Sequence, residues 1–295
     1  MNSTTVRLFS IALRSAERVS PHLSGRMLAR LFLTPRRLKL RAEERAVMER
    51  SAALPLRLDM ERMFPVHHWG PDGAPAVVLV HGWSGRAGQM GAFVAPLVSR
   101  GFKVVAFEAP AHGAADGRTT GLVEFARAIR VVERQFGPLH GIVAHSMGGA
   151  AALLAMAQGA QVERAALIGT PDAPGGYLAM MARAFGLGKD SVGAAQARIE
   201  ARFGIGFAQI ATPANAPFIS VPVLVIHDSK DREVKVESGR RIAEQLPDAR
   251  FMETDGLGHV RILKDAGVVD AVTLFIGSAG PVAQTADLME AAPAA

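Results

Sequence analysis

Short, almost wholly apolar runs constrain this chain more than any other feature. Ala76-Val77-Val78-Leu79-Val80, Phe102 to Phe107, Leu139 to Ala144, Ala165 to Ile168 and Pro222 to His227 are each bounded by loop or helix signals. Runs of this length without polar alternation read as strands covered on both faces. Helical patterns fall between or after them: Gln89 to Arg100, Leu122 to Phe136, Met147 to Gln158, Ser238 to Leu246 and Asp265 to Ile276. Strand and helix in alternation predict a doubly wound, mostly parallel α/β sheet with right-handed crossovers. Leu54 to Leu58 and Val66 to Trp69 are expected as short first strands, and Arg250 to Glu253 as a short last one. Between 171 and 217 the alternation lapses. Helical pieces rich in Met, Phe and Ala (Tyr177 to Phe185, Ala194 to Phe203) mark that stretch as an insertion between two sheet strands.

The charge is unevenly placed. Residues 1–50 hold eleven Lys/Arg against four acids, a net +7 within a chain total of +6, so the remaining 245 residues carry −1. This segment reads as two or three helices punctuated by Pro21 and Pro35. Arg7, Arg14 and Arg18 share one face of the first helix, and Val6, Phe9 and Leu13 another. The domain reading is a basic helical extension (1–50), an α/β body with its insertion (51–277) and a flexible Ala/Gly/Pro-rich tail (278–295). A near-neutral body gives no support for nucleic-acid binding. The extension has two readings: a collar packed on the body, or peripheral attachment to an anionic membrane. No apolar run nears the roughly 18 residues of a spanning helix. Arg7 and Arg14 interrupt the first apolar stretch, against a secretory signal, so the expected location is cytoplasmic or at a membrane surface. With no cysteine, thiolate nucleophiles and thiolate metal sites are excluded.

The strongest chemical signal is Ala144-His145-Ser146-Met147-Gly148-Gly149, where a strand meets a helix. A serine there sits on a strained turn above the carboxyl edge of the sheet, and small neighbours let strand and helix approach. Serine needs a base, and the base an orienting acid. Asp231 lies four residues past the strand end at His227, with Asp228 as its rival; His259 follows Gly256-Leu257-Gly258 after the next strand. His81-Gly82-Trp83-Ser84-Gly85 follows an earlier strand and can supply an oxyanion donor, so the Trp83 and Met147 backbone N–H groups are the candidates. His81, His145 and His227 read as structural. His67, His68 and His112 form no metal-ligand pattern, and no phosphate-loop or dinucleotide glycine motif is present. No metal and no cofactor are therefore expected.

These pieces, in this order, resemble the α/β-hydrolase superfamily. The matching segments are His81-Gly82-Trp83, Glu108-Ala-Pro-Ala-His112-Gly113, Ala144-x-Ser146-x-Gly148, His227-Asp228-x-x-Asp231 and Gly258-His259, over roughly residues 64–277. The chain looks most like small bacterial esterases and lysophospholipase-like members. It departs at Ala144 (usually Gly), Asp228 (often Gly) and Glu108 (commonly Asp). The resemblance implies the α/β-hydrolase fold, a lid formed by 171–217, and Ser146, His259 and Asp231 as nucleophile, base and acid. The expected substrate is a small-molecule carboxylic ester, medium-chain or lipid-like. Met180, Met181 and Phe185 are candidates for an acyl pocket, against their plainer reading as helix packing. A thioesterase, acyltransferase or C–C hydrolase would use the same triad. A non-catalytic ligand- or partner-binding member is the reading from another class. Oligomeric state is left open.

Overall fold

A computed structural model describes residues 3–173 and 175–278; the side chains of residues 3–6 and 8 lie outside that description. The expected tail, beyond Ser278, and the Val6 side chain fall among the undescribed residues. The sheet has eight strands: β1 (Ala52–Arg57), β2 (Met63–Trp69), β3 (Ala76–Val80), β4 (Lys103–Phe107), β5 (Leu139–His145), β6 (Ala165–Ile168), β7 (Val223–Asp228) and β8 (Ala249–Thr254). Their spatial order is β1-β2-β4-β3-β5-β6-β7-β8. The β1/β2 and β2/β4 pairs are antiparallel, and from β4 to β8 every pair is parallel.

Strand alternation divides the apolar runs between two cores. Val78, Val80, Ile142, Ala144 and Leu167 face one core, with α5 (Leu122–Phe136) and α6 (Met147–Ala157). Val77, Leu79, Val143, Ala166 and Ile168 face the other. The 3-10 helix Ala87–Phe93, α4 (Val94–Ser99) and α12 (Ala266–Gly277) cover that second core. This is why no polar residue interrupts β3: both of its faces are dry. Chain direction in the sheet order reverses at β3, between β4 and β5. In open α/β sheets the crevice above the strand ends at such a point is where ligands bind.

The insertion between β6 and β7 forms α7 (Gly175–Phe185), α8 (Lys189–Phe203) and α9 (Thr212–Asn215). The first fifty residues form α1 (Ser3–Val19), α2 (Pro21–Phe32) and α3 (Ala42–Met48). Ser20 caps α2 by accepting from the His22 N–H, with Pro21 in the first turn. These helices are not a separate layer. Leu13, Leu28, Ala29 and Leu33 join the first core and Met48 joins the second. Fully burying a leucine such as Leu28 is worth about 1.5–3 kcal/mol.

Polar contacts fix the register of α1 on the insertion. Arg14 Nε donates to the Phe185 carbonyl (3.1 Å), and Glu17 accepts from the Gly188 N–H (2.8 Å) and the Ser191 hydroxyl (2.5 Å). The remaining helices are α10 (Val236–Gln245) beside β7 and the single turn α11 (Gly258–Arg261).

Candidate active site

Ser146 stands between β5 and α6 with φ 53° and ψ −126°. This conformation is strained for any residue with a Cβ, and it lifts the side chain clear of the sheet edge. Among the described residues the other non-glycines at positive φ are Ser84 and Ala111, both in loops at the same edge. Glycines allow the turn to close. A Cβ on Gly148 would lie 2.5 Å from the His81 carbonyl oxygen, and one on Gly82 would lie 2.8 Å from the Ser146 Cβ. The loop after β3 therefore lies directly against the serine.

The structure brings Ser146, His259 and Asp231 together from the ends of three strands. His259 Nε2 is 3.0 Å from Ser146 Oγ, and His259 Nδ1 is 2.6 Å from Asp231 Oδ2. A carboxylate only accepts, so Nδ1 carries the proton and Nε2 is left to accept from the serine hydroxyl. The other Asp231 oxygen accepts from the Glu233 and Val234 N–H groups (2.8 and 2.9 Å). Burial would raise the Asp231 carboxyl. Hydrogen bonds from the His227 and His259 rings and from Val234 outweigh it and hold the group well below the usual carboxylate range.

Asp228, the rival acid, is placed otherwise. It is wholly buried, and it accepts from the Lys230, Leu257 and Gly258 N–H groups and the Thr254 hydroxyl. Two of those donors immediately precede His259, so Asp228 shapes the loop that carries the imidazole. His259 itself is the second residue of the single helical turn α11 rather than lying in an open glycine loop.

The neighbouring histidines hold backbone. His145 Nε2 donates to the His259 carbonyl (2.8 Å), and burial pushes its pKa down to about 3, so the ring is neutral. His81 Nε2 accepts the Ala109 N–H (3.0 Å). His112 Nε2 accepts the Ser84 N–H (2.9 Å), and burial lowers its pKa to about 4. His227 Nε2 donates to the Val234 carbonyl (3.0 Å). His67 bonds to Ser51 Oγ on the far side of the antiparallel edge (3.0 Å). Among the described residues no group of three His, Asp or Glu gathers in a metal-binding arrangement.

The serine opens into a cavity of about 730 Å³. Trp83 and Met147 both line it. Met147 is the first residue of α6, so its N–H lies outside the helical ladder. Trp83 sits in the turn that the Gly85 N–H closes onto the Gly82 carbonyl (3.0 Å). Met180 and Met181 also line the cavity, as do Ile199, Phe203 and Phe207.

Phe185 does not line the cavity, which corrects the expectation for it. At the end of α7 it turns into the first core, 9% exposed, while its carbonyl receives Arg14. Helical spacing puts Met181 and Phe185 on one face, but the face at Phe185 is claimed by the packing of α1 and α2 against α7.

Sequence reading missed part of the wall. Phe32, the last residue of α2, lines the cavity, as do Leu33, Arg36, Leu38 and Arg41 of the strap between α2 and α3. Arg37 pins this strap by donating to the carbonyls of Gly113 (2.6 Å), Ala115 (2.7 Å) and Gly117 (2.7 Å). The Arg36 N–H donates to Ser84 Oγ (2.9 Å). At the strap's far end, buried Glu44 and Arg86 form a two-toothed ion pair (2.5 and 2.8 Å). No periodicity links residues 32–41 to Ser146 more than a hundred positions away. The Pro35-Arg36-Arg37 cluster was the only local signal. Glu233 was also missed; its Oε2 lies 4.0 Å from His259 Nε2.

This fold and this edge define an α/β hydrolase. The chain belongs to the Alpha/beta hydrolase family, which matches residues 77–271. No curated protein matches it. Solved structures with the same fold are similar at low identity. An esterase from Pyrococcus furiosus superposes with a TM-score of 0.61 at 18% identity, covering 83% of this chain and 97% of its own. A bacterial membrane phospholipase A gives 0.60 at 18% identity, covering 79% and 87%. The 2-hydroxy-6-oxo-6-phenylhexa-2,4-dienoate hydrolase of a Rhodococcus species gives 0.58 at 19%, covering 77% and 98%. Among the described residues no helix is long and apolar enough to cross a membrane.

Proposed function

We propose that this protein is a serine hydrolase that cleaves a carboxylic ester of a medium-chain or lipid-like acid through an acyl-enzyme on Ser146. The observation that carries the proposal is the unbroken hydrogen-bonded series Ser146–His259–Asp231 opening into the 730 Å³ cavity. His259 Nε2 takes the serine proton as Oγ attacks the carbonyl carbon, then returns it to the leaving alcohol. Asp231 keeps the imidazole in the required tautomer and stabilises its protonated form. The Met147 and Trp83 N–H groups serve the tetrahedral oxyanion. Water, activated by His259, releases the acid. Met181, Ile199, Phe203 and Phe207 would take the acyl chain.

A fluorophosphonate probe and a panel of p-nitrophenyl esters test this together. The expected result is an adduct on Ser146, activity rising with chain length to about C8, and loss of about 10⁴-fold or more in Ser146→Ala. An unlabelled Ser146, or near wild-type turnover by Ser146→Ala, overturns it. Thioester analogues in the same panel separate ester from thioester preference.

A further inference from the structure

The helices α2 and α8 meet at very short range. A Cβ on Gly25 would fall 2.6 Å from the Ala194 Cβ, and the Ser24 and Ser191 hydroxyls hydrogen-bond across the contact at 2.6 Å. Backbones this close cannot splay, so the side chains that follow are held along one seam. Those side chains are arginines. Arg26 and Arg30 are one turn apart on α2, and Arg198 and Arg202 are one turn apart on α8. Together with Arg118, from the loop before α5, they line a groove of about 900 Å³ with buried Leu33 and Ile199 at its base.

Five guanidinium groups in one concavity repel one another, and the protein supplies almost no counter-charge. Among the described residues only Arg202 reaches a carboxylate, Glu124 at 3.8 Å, and Glu124 already holds Arg62 at 2.6 Å. Of the acids on α1 and α8, Asp190 lies two turns before Arg198 and, among the described residues, pairs with none of the five arginines, and the other two are engaged elsewhere. Glu17 accepts from Ser191 and Gly188, and Glu200 from Gln196 and the Phe207 N–H. The groove is separate from the serine, yet Leu33 and Ile199 line both cavities.

We propose that this groove is a binding site for a molecule bearing phosphate groups, seated between α2 and α8. Guanidinium forks match phosphate oxygens two at a time, and arginines on both walls suit more than one phosphate. An occupant would relieve the repulsion and tie α2 to the insertion, bracing two walls of the catalytic cavity. The site does not depend on the ester reading, and Ser146→Ala should bind the same ligand equally well.

Calorimetric titration of the full chain with inorganic tripolyphosphate tests the proposal, beside the double variant Arg26→Gln/Arg198→Gln. Both side chains are exposed, so the variant should keep the circular dichroism and Tm of the unliganded protein. The expected result is saturable one-site binding that raises the wild-type Tm, weakens with salt, and falls about tenfold or more in the variant. Vesicles containing phosphatidylglycerol distinguish the source. Vesicle binding displaced by tripolyphosphate identifies a lipid headgroup, whereas tripolyphosphate binding without vesicle binding identifies a soluble phosphate compound. Equal tripolyphosphate affinity in wild type and variant overturns the proposal. So does an equal Tm rise with sulfate at matched ionic strength, or no binding of either probe. Should the double variant misfold, Arg118→Gln, which leaves both helices intact, is expected to weaken binding in the same direction.

Discussion

The serine edge and the N-terminal cap solve the problem of placing polar groups in opposite ways. At the edge, precision comes from backbone. A strained Ser146, glycines at 82 and 148, and buried histidines bonded to carbonyls leave one imidazole nitrogen facing one hydroxyl. In the cap, position comes from long charged side chains that reach across to other elements: Arg14 to Phe185, Arg37 to the 113–117 loop, and Glu44 to Arg86. The first arrangement is local to strand ends and tolerates little change. The second ties distant stretches of sequence together, and each tie can be cut singly. The contrast teaches that chemistry and cavity shape are set by different parts of the chain.

The largest expected effect separates the two buried aspartates of the edge. Asp231→Asn should lower kcat by about 10⁴-fold with the fold intact, because the amide no longer holds His259 in the needed tautomer. Asp228→Asn should instead cost about 1–3 kcal/mol of stability, since an amide NH₂ would face the donors of residues 254–258, while kcat falls much less. Urea unfolding with ester kinetics on both variants checks this. Comparable kcat losses in the two would erase the distinction drawn between them.

A smaller effect is expected from the cap. Arg37→Ala removes three hydrogen bonds that hold the strap, at a cost of about 1–2 kcal/mol. Because Arg36 and Leu38 on either side line the cavity, KM for long-chain esters should rise several-fold with kcat little changed. An equal fall in kcat would show that the cap shares in the chemistry.

The effect expected beneath the edge leaves turnover alone and shows only in how stability changes with pH. Burial pushes the Glu108 carboxyl up to about 7, against the Ala87 N–H bond and the Arg86 charge. An acid whose folded pKa is raised contributes stability that is complete below its ordinary value of 4.5 and is lost as pH rises through about 7. Glu108→Gln does not titrate, so relative to wild type it should gain on the order of 1–3 kcal/mol between pH 4.5 and 7. Urea midpoints at pH 4.5 and pH 8 measure this. A difference that does not change with pH would mean the carboxyl is ionised throughout.

Much of the scaffold was legible because strands and amphipathic helices carry their burial in their own spacing. The runs at 76–80, 139–144 and 222–227 became β3, β5 and β7 with ends shifted by a residue or so. The predicted helix from Gln89 to Arg100 proved to be a 3-10 stretch, Ala87–Phe93, followed by a short α-helix. Glycines at 88 and 91 permit close packing there. A Cβ on Gly88 would lie 2.9 Å from Leu40 Cδ2, and one on Gly91 would lie 3.3 Å from Val47 Cγ2. Phe185 failed as a pocket residue for a related reason: its apolar face was known, but not which surface would cover it.

The sequence alone determined a doubly wound sheet, a serine at a strand–helix turn, and two later loops able to bring it a histidine and an aspartate. These are properties of short segments, each bounded by its own apolar period and its own glycines. Only the tertiary structure decided that Asp231 rather than Asp228 meets His259, and that the basic first fifty residues complete a cavity wall. It also ranged the arginines of two helices along one seam. The reason is physical: a side chain's partners across space depend on how strand ends, strap and insertion are packed. No residue pattern within a single segment records that arrangement.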